Sequence, residues 1–324
     1  MTPPLDWLLE KDNPSVYYFA LKQLLDRTDD DPDVQAARRA IMHSAPVEKI
    51  LAAQAADGYW AKPGAGYSPK YQATTWQILF LAELGADGQQ RQVQRGCEYV
   101  LQHAPAGHGG FSVYMDARPS GALHCLNGNL VWALSALGCD PDERVGRAID
   151  WLAGAITGED FEAFYASGTS GPGFCCAANN GQPCAWGAVK ALRALTHISP
   201  KWQSARTQRA ATAAAEFLLS RDPAKADYPY TGRVSGEWFK FGFPLSYTSD
   251  VLETALVLGE ACYARDPRLE NALQLIRSKR DAGGRWAMKH SLNGKMWIDI
   301  ETKGQPSKWL TLRALRVMKM AGVN

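Results

Sequence analysis

The sequence predicts an all-α protein built as an (α/α)6 toroid of six helical hairpins, and three observations predict it. Apolar segments with a helical period recur along the 324 residues. A more polar helical segment follows each of the first five, and one helix-end motif occurs near both ends of the chain. No alternating run of the kind that predicts a strand exceeds a few residues.

The apolar segments begin roughly 55 to 65 residues apart, a spacing that suits two helices and a long loop. They are nearly apolar all round, which predicts an inner ring of helices buried on both sides. The predicted inner helices are Tyr17–Leu25, Thr74–Gly85, Asn129–Gly138, Trp186–Leu195, Asp250–Cys262 and Trp309–Gly322.

The intervening segments are amphipathic and rich in Arg, Lys and Glu, which predicts an outer ring with one face in water. Gly85, Gly138 and Gly322 lie where helix C-caps are expected. Asp142 and Asp266 lie near outer-helix starts, where a carboxylate complements the helix dipole. The predicted outer helices are Asp33–His43, Gln90–Gln102, Asp142–Gly154, Thr207–Ser220 and Pro267–Arg277.

The helix-end motif reads KILAAQAADGYW at Lys49–Trp60 and LIRSKRDAGGRW at Leu275–Trp286, with Arg in place of Gln in the second copy. A polar side chain at a helix end can bond backbone groups at the start of the next helix. The Gly permits a tight turn and the Trp covers the polar group. Two weaker copies are Gln102 with Gly110 and Phe111, and the segment Phe217–Tyr230.

This repeat resembles the Q-x3-G-x-W (QW) motif, also known as the prenyltransferase/squalene oxidase repeat, of terpenoid cyclases and protein prenyltransferases. The resemblance covers nearly the whole chain and implies an α/α toroid. It also implies a single domain over residues 1–324. The activities that it implies are that of a terpene cyclase-like enzyme or that of a prenyltransferase β-like subunit, which needs a partner chain.

Composition narrows the functions further. The net charge is +2 with no basic stripe, so nucleic acid is not an expected partner. No apolar run reaches the ~18 residues of a membrane span, and MTPPLDWLLEKD has no signal-peptide pattern. Seven cysteines, an odd number, indicate reduced thiols in a cytoplasmic protein. We expect a monomer or a homo-oligomer.

The loops that enter the predicted inner helices are long and rich in aromatic, Cys, Gly and Asn residues. The loops that leave them are short and acidic, so a site is expected at the entering rim, although long loops can also simply plug a ring. The entering loops are Gly66–Trp76, Gly121–Asn129, Gly171–Trp186, Glu237–Asp250 and Gly294–Trp309.

Cys175, Cys176 and Cys184 lie within ten residues, one hairpin after His124 and Cys125. Three hypotheses remain open. A zinc site lacks a CxxC pair, and the Asp-x-Cys zinc ligands of the protein prenyltransferases are absent. Inert buried thiols are the second. The third is acid/base or nucleophilic chemistry, with His124 as the group that shifts the thiol pKa. No cofactor is expected, and zinc is disfavoured.

The third hypothesis is supported by a further resemblance. Bacterial linalool dehydratase-isomerase is similar in kind: two cysteines nine residues apart, a His from an earlier hairpin and an Asp. Cys175 and Cys184 are nine apart here, and His124 lies one hairpin earlier. Asp250 opens an inner helix, where a raised pKa would suit proton donation. The alternative for Asp250 is an ordinary N-cap. The Asp-x-Asp-Asp acid motif of squalene-hopene cyclases is absent.

The same loops supply candidate substrate-binding residues, because aromatic faces can surround an apolar ligand or stabilise a cation, and a lysine can hold an anionic group. Core packing is the alternative for each aromatic. The candidates are Tyr67, Tyr71, Trp76, Trp238, Lys240, Phe241, Tyr247 and Trp297.

The sequence therefore predicts a lyase or isomerase that dehydrates, isomerises or cyclises a hydrophobic, isoprenoid-like or aromatic small molecule. The alternative is a non-catalytic binder of hydrophobic ligands or a subunit that requires a partner. Convergence of the thiols and His124 on one cavity would favour the enzyme, and a broad apolar patch on the outer wall would favour the subunit.

Overall fold

A computed structural model describes residues 4–115, 121–160, 170–229 and 236–323. More than half of the chain is helical, and the strands in these ranges are two residues long, so the fold is all-α. The short strands are β1 (Ser170–Gly171), β2 (Cys175–Cys176), β3 (Trp286–Ala287) and β4 (Pro306–Ser307); β1 pairs antiparallel with β2, and β3 with β4.

The helices alternate between buried and amphipathic ones, as the two kinds of segment predict. In chain order they are α1 (Leu5–Leu8), α2 (Pro14–Gln23), α3 (Pro32–Ile41), α4 (Ala45–Ala52), α5 (Thr74–Glu83), α6 (Arg91–His103), α7 (His124–Ala136), α8 (Glu143–Thr157), α9 (Ala185–Leu195), α10 (Ala205–Leu219), α11 (Val251–Leu258), α12 (Glu270–Ser278) and α13 (Lys308–Ala321).

The buried helices α2, α5, α7, α9, α11 and α13 follow one another in space. Helix α7 packs on α5 and α9, α9 on α11, α11 on α13, and α13 on α2. Gly85, just after α5, approaches α2 so closely that an added Cβ would lie 3.0 Å from Cζ of Phe19. The first and last of these helices therefore meet, and α5 comes close to α2.

The amphipathic helices lie outside this series. Helices α6, α8, α10 and α12 pack on α5, α7, α9 and α11 respectively, and α8 also packs on α10. Helix α3 corresponds to the first predicted outer helix, and a further helix, α4, begins after the predicted end at His43, with Pro46 in its first turn. No described helix has the length and apolarity to cross a bilayer.

The two copies of the helix-end motif have the same hydrogen bonds. The indole Nε1 of Trp60 donates to the Ile50 carbonyl at 2.6 Å, and that of Trp286 donates to the Ile276 carbonyl at 2.7 Å, ten residues back in both copies. Each Trp backbone N–H donates at 3.1 Å to a threonine hydroxyl, one in α5 and one in α13. The repeat in the sequence is thus a repeat in the structure.

The weaker copies keep the same geometry with other residues. The Tyr228 hydroxyl donates to the carbonyl of Leu218, again ten residues back, at 2.6 Å. The backbone N–H of Phe111 donates to Oδ1 of Asn127 at 2.6 Å. The turn residue two before each aromatic has positive φ, so in the Phe111 copy it is Gly109 and not the expected Gly110.

Gln54 bonds a backbone group at the start of the next helix, as the motif predicts. Its Nε2 donates to two carbonyls, that of Gly58 at 3.1 Å and that of Gln92 in the first turn of α6 at 2.9 Å. It therefore joins neighbouring hairpins through carbonyl acceptors.

Candidate functional site

The three clustered cysteines lie on a short ribbon that enters α9. Strand β2 leads into a turn, and the chain returns so that Cys184 N–H donates to the Phe174 carbonyl at 2.9 Å and Cys176 N–H to the Gln182 carbonyl at 3.2 Å. Buried Asn179 ties this turn together, with Nδ2 donating to the Pro183 carbonyl at 2.9 Å. Because side chains alternate along a strand, Cys175 and Cys176 point to opposite faces of the ribbon.

Cys176 and Cys184 form a thiol pair. Cys184 occupies the N-cap position of α9, and a hydrogen bond between the two side chains lowers the pKa of Cys176 to about 6 and raises that of Cys184. Backbone N–H groups of Ala178 and Asn179 also favour the Cys176 thiolate. Of the three clustered cysteines, the interacting pair is therefore 176/184, eight residues apart, and not the 175/184 pair of the resemblance.

Cys125, at the second position of α7, is a neighbour of this pair that the sequence reasoning did not select. Burial raises its pKa to about 12, and Cys176 adds to the shift. Its side chain is deep in the structure but keeps accessible surface, as do those of Cys176, Cys184 and Tyr67. These four side chains lie close enough to shift one another's pKa values, so they form a cluster at the amino ends of the inner helices, the thiol cluster.

Aromatic rings pack beside this thiol cluster. Tyr67 lies 5.0 Å from the Trp76 ring, and burial, followed by Cys125, raises its pKa strongly. Tyr71 and Tyr247 also contact Trp76, at 5.4 and 6.3 Å between ring centroids. Trp186, opening α9, lies 6.3 Å from Tyr247. Predicted residues from the loops before α5, α9 and α11 are thus brought together.

Two residues near these aromatic rings, Lys70 and Trp297, are exposed to solvent. Lys70 Nζ lies 4.4 Å from the centre of the Tyr247 ring. Trp297, 39% exposed, donates its indole N–H to the Gln72 carbonyl at 3.0 Å, so the loop before α13 reaches across to the loop before α5.

The backbone of His124 lies beside Cys184, since a Cβ built on Gly187 would be 3.1 Å from Cβ of His124 and 3.8 Å from Cβ of Cys184, but the His124 ring packs on other residues. Its ring, 2% exposed, packs 6.1 Å from Trp151 of the outer helix α8 and 5.5 Å from Phe174. Burial lowers its pKa to about 4, which the Ala155 carbonyl only partly opposes. Cys125 is one residue on, about 100° around the helix, so its side chain lies near Cys176 and Tyr67 whereas the His124 ring does not. The pKa shift of Cys176 arises from Cys184 and backbone amides, so His124 is not the group that tunes it.

Asp250 takes the N-cap position of α11. Its Oδ1 accepts the Glu253 N–H at 2.8 Å, and Oδ2 accepts the Gly242 N–H at 3.1 Å. Burial raises its pKa to about 7. Both carboxylate oxygens are engaged by the backbone, as the N-cap interpretation expects.

The other predicted binding residues lie apart from the thiols. Trp238 is buried, donates to the Pro223 carbonyl at 2.9 Å and packs against Tyr228 after the outer helix α10. Phe241 is buried, with Lys279 at the end of α12 lying 5.5 Å from its ring centre. Lys240 is exposed.

The inner helices are not apolar all round, which corrects the sequence interpretation. Glu83 accepts hydrogen bonds from Arg193 at 2.6 Å and Arg313 at 2.7 Å, and Lys190 donates to both oxygens of Glu253 at 2.6 Å. Burial opposes ionisation of Glu83, but the two guanidinium groups outweigh it and lower its pKa to about 2. The sequence signal that could have predicted this network is the occurrence of isolated charged residues inside otherwise apolar helices.

Among the described residues, no group of three or more His, Cys, Asp or Glu side chains is arranged to hold a metal ion.

No protein-family model and no curated protein matches this sequence. Solved structures with some similarity include a protein from Actinoplanes, 16% identical with a TM-score of 0.44, over 96% of this chain and 90% of that one. They also include the type II terpene cyclase MstE from Scytonema without ligand, 14% identical with a TM-score of 0.31, over 88% and 98%. A variant of MstE in complex with geranylgeranyl dihydroxybenzoate is also similar, at 14% identity and a TM-score of 0.31, over 96% and 98%.

Proposed function

We propose that this protein is an enzyme whose acid/base centre is the thiol cluster. The substrate is a hydrophobic small molecule, isoprenoid-like or aromatic, and the reaction is a dehydration, isomerisation or cyclisation. The observation that carries the proposal is the thiol pair, in which one hydrogen bond pushes the pKa values of Cys176 and Cys184 apart. Neighbouring groups with divergent acidities are what a paired general acid and base require.

The pair can run a proton-balanced dehydration. Cys184 gives its proton to the hydroxyl of an allylic alcohol as the carbon–oxygen bond breaks and water leaves. The Cys176 thiolate takes a proton from carbon as the new double bond forms. The hydrogen bond between the two sulfur atoms then returns the proton from Cys176 to Cys184, so the centre is regenerated without a cofactor.

The surroundings suit an apolar substrate. Tyr67 and Cys125 stay protonated at neutral pH because burial raises both pKa values, so they can donate hydrogen bonds without adding charge. The rings of Trp76 and Tyr247 offer apolar surface and π-faces beside the sulfur atoms, which would stabilise positive charge on carbon.

We propose in addition that the hairpins close into a six-hairpin α/α toroid over residues 1–324. Support comes from the successive contacts of the inner helices and from the approach of Gly85 to Phe19. In that arrangement the thiol cluster lies at the mouth of the ring, at the amino ends of the inner helices.

Turnover of acyclic allylic terpene alcohols and of cinnamyl alcohol tests the proposal, with products followed by gas chromatography. We expect Cys176→Ser and Cys184→Ser each to lower turnover by a factor on the order of 100 or more, the usual contribution of a general acid or base. Cys262→Ser, which changes an exposed thiol, is the matched control. Equal turnover by wild type and both variants would return the pair to a packing role. Ligand binding without turnover by wild type would favour the non-catalytic binder.

A further inference from the structure

A cavity of about 460 Å³ opens at the carboxyl ends of α5, α7 and α9. Its walls come from the carboxyl-terminal parts of α5, α7 and α9, from the first half of α13 and from α2, whereas the thiols lie at the starts of α7 and α9. The two sites are therefore at opposite ends of the same helices. This volume is in the range of about 300 to 1,000 Å³ that small-molecule sites occupy.

The cavity floor has more positive than negative charge. Arg193 and Arg313, 9% and 8% exposed, share Glu83 through one oxygen each. Glu253 lies 3.6 Å from Arg193, but Lys190 already donates to both of its oxygens. Two guanidinium groups thus meet one carboxylate, and a buried charge without a counter-charge is costly.

Donors also remain available on this floor. In the described part of the chain, each of the two arginines bonds Glu83 through one Nη, and its other guanidinium nitrogens make no hydrogen bond. Both residues line the cavity. A guanidinium fork matches the planar geometry of a carboxylate, and it also matches phosphate.

Apolar surface lies beside the charge. The Trp132 ring centre is 3.4 Å from Cζ of Arg193, and Trp309 and Leu312 line the same cavity. The indole N–H of Trp309 is buried and has no hydrogen-bond partner among the described residues. Arg316 and Glu260 on the wall pair with each other at 2.7 Å, so they leave the excess charge at the floor unchanged.

We infer that this cavity binds a small amphipathic oxyanion. Such a ligand has a carboxylate or phosphate head group on an aromatic or aliphatic body. The head group pairs with Arg193 and Arg313, and the body lies against Trp132 and Trp309. The inference is independent of the thiol chemistry proposed for the opposite end.

Calorimetric titration with three probes of similar shape tests this: 4-phenylbutyrate, 3-phenylpropylphosphonate and the uncharged 4-phenylbutanol. We expect both anions to bind, and the alcohol to bind about tenfold more weakly or worse, since it cannot form charge-assisted hydrogen bonds. The stronger of the two anions identifies the head group. Arg313→Gln leaves Arg193 and Glu83 in a balanced pair, and we expect it to lose about tenfold or more in anion affinity. Arg268→Gln, which removes a surface guanidinium, is the control with unchanged affinity.

Three results would overturn the inference: no heat from either anion at millimolar concentration, equal affinity for the alcohol, or wild-type affinity in Arg313→Gln. Glu83→Gln provides a second variant, because it keeps the side-chain shape and removes the competing carboxylate. We expect it to bind the anions several-fold more tightly. If Arg313→Gln does not fold, unchanged or weaker anion binding by Glu83→Gln overturns the inference.

Discussion

The two ends of the inner helices differ in how they handle buried polar groups. At the amino ends, thiols and tyrosines are kept neutral by burial, and a single hydrogen bond selects Cys176 as the thiolate. At the carboxyl ends and the centre, full charges are buried in pairs, with Glu83 held ionised between Arg193 and Arg313. The first arrangement suits proton transfer and the second suits helix-to-helix attachment and anion binding, so the same helices offer two chemistries.

Removing a buried charge partner should have the largest effect. Glu83→Ala leaves two guanidinium groups at the floor without their shared carboxylate, so we expect the free energy of unfolding to fall by about 3–5 kcal/mol. Urea unfolding followed by circular dichroism measures it. Glu216→Ala, which removes the exposed partner of Arg268, is the matched control and should change stability little. A loss no larger than that of the control would show that the central charges are not a structural network.

His124 and Asp250 extend the comparison to pH. Burial lowers the pKa of His124 and raises that of Asp250, so their contributions to stability should change with pH in opposite directions. The pKa of His124 is lowered from 6.5 to about 4 in the folded state, so its contribution to stability is lost as pH falls through that window. As pH falls from 6.5 to about 4, we expect His124→Leu to gain stability relative to wild type by on the order of 1 kcal/mol per pH unit. Unfolding at a series of pH values measures the difference, and a pH-independent difference would contradict the burial of a neutral imidazole.

Asp250 should show the reverse slope. Its folded-state pKa is raised from 3.8 to about 7, so its stabilising contribution is complete below the lower value and is lost as pH rises through the upper one. The advantage of wild type over Asp250→Asn should therefore shrink by on the order of 1 kcal/mol per pH unit across this window. The same unfolding series tests it. An advantage that grows with pH would mean that the backbone donors of Glu253 and Gly242 outweigh desolvation.

The sequence predicted the helical character and the repeat well because both depend on local patterns. Trp60 and Trp286 mark equivalent turns, and even Tyr228 replaces Trp at the same distance from its acceptor. The pattern could not show that Ala226 takes the positive φ of the turn glycine, which depends on the packing of neighbouring hairpins.

The site was harder to predict, since it depends on side-chain direction. Spacing along the chain suggested Cys175 with His124, but strand alternation selects Cys176 and helix rotation selects Cys125. The charged network was overlooked for a related reason. A single Glu or Arg in an apolar helix does not by itself predict an ion pair. The partners of Glu83 become evident only when the fold brings Arg193 and Arg313 next to it.

The central claim, a thiolate at Cys176 held by Cys184, is tested most directly by titrating thiolate absorbance at 240 nm, with Cys176→Ser identifying the signal. We expect one thiolate to appear with a midpoint near pH 6 in wild type. In Cys184→Ala, which removes the hydrogen-bond donor, that midpoint should move upward toward the ordinary value of about 8.5. A single-thiolate midpoint near 8.5 in wild type, or one that Cys184→Ala leaves unchanged, would contradict the account.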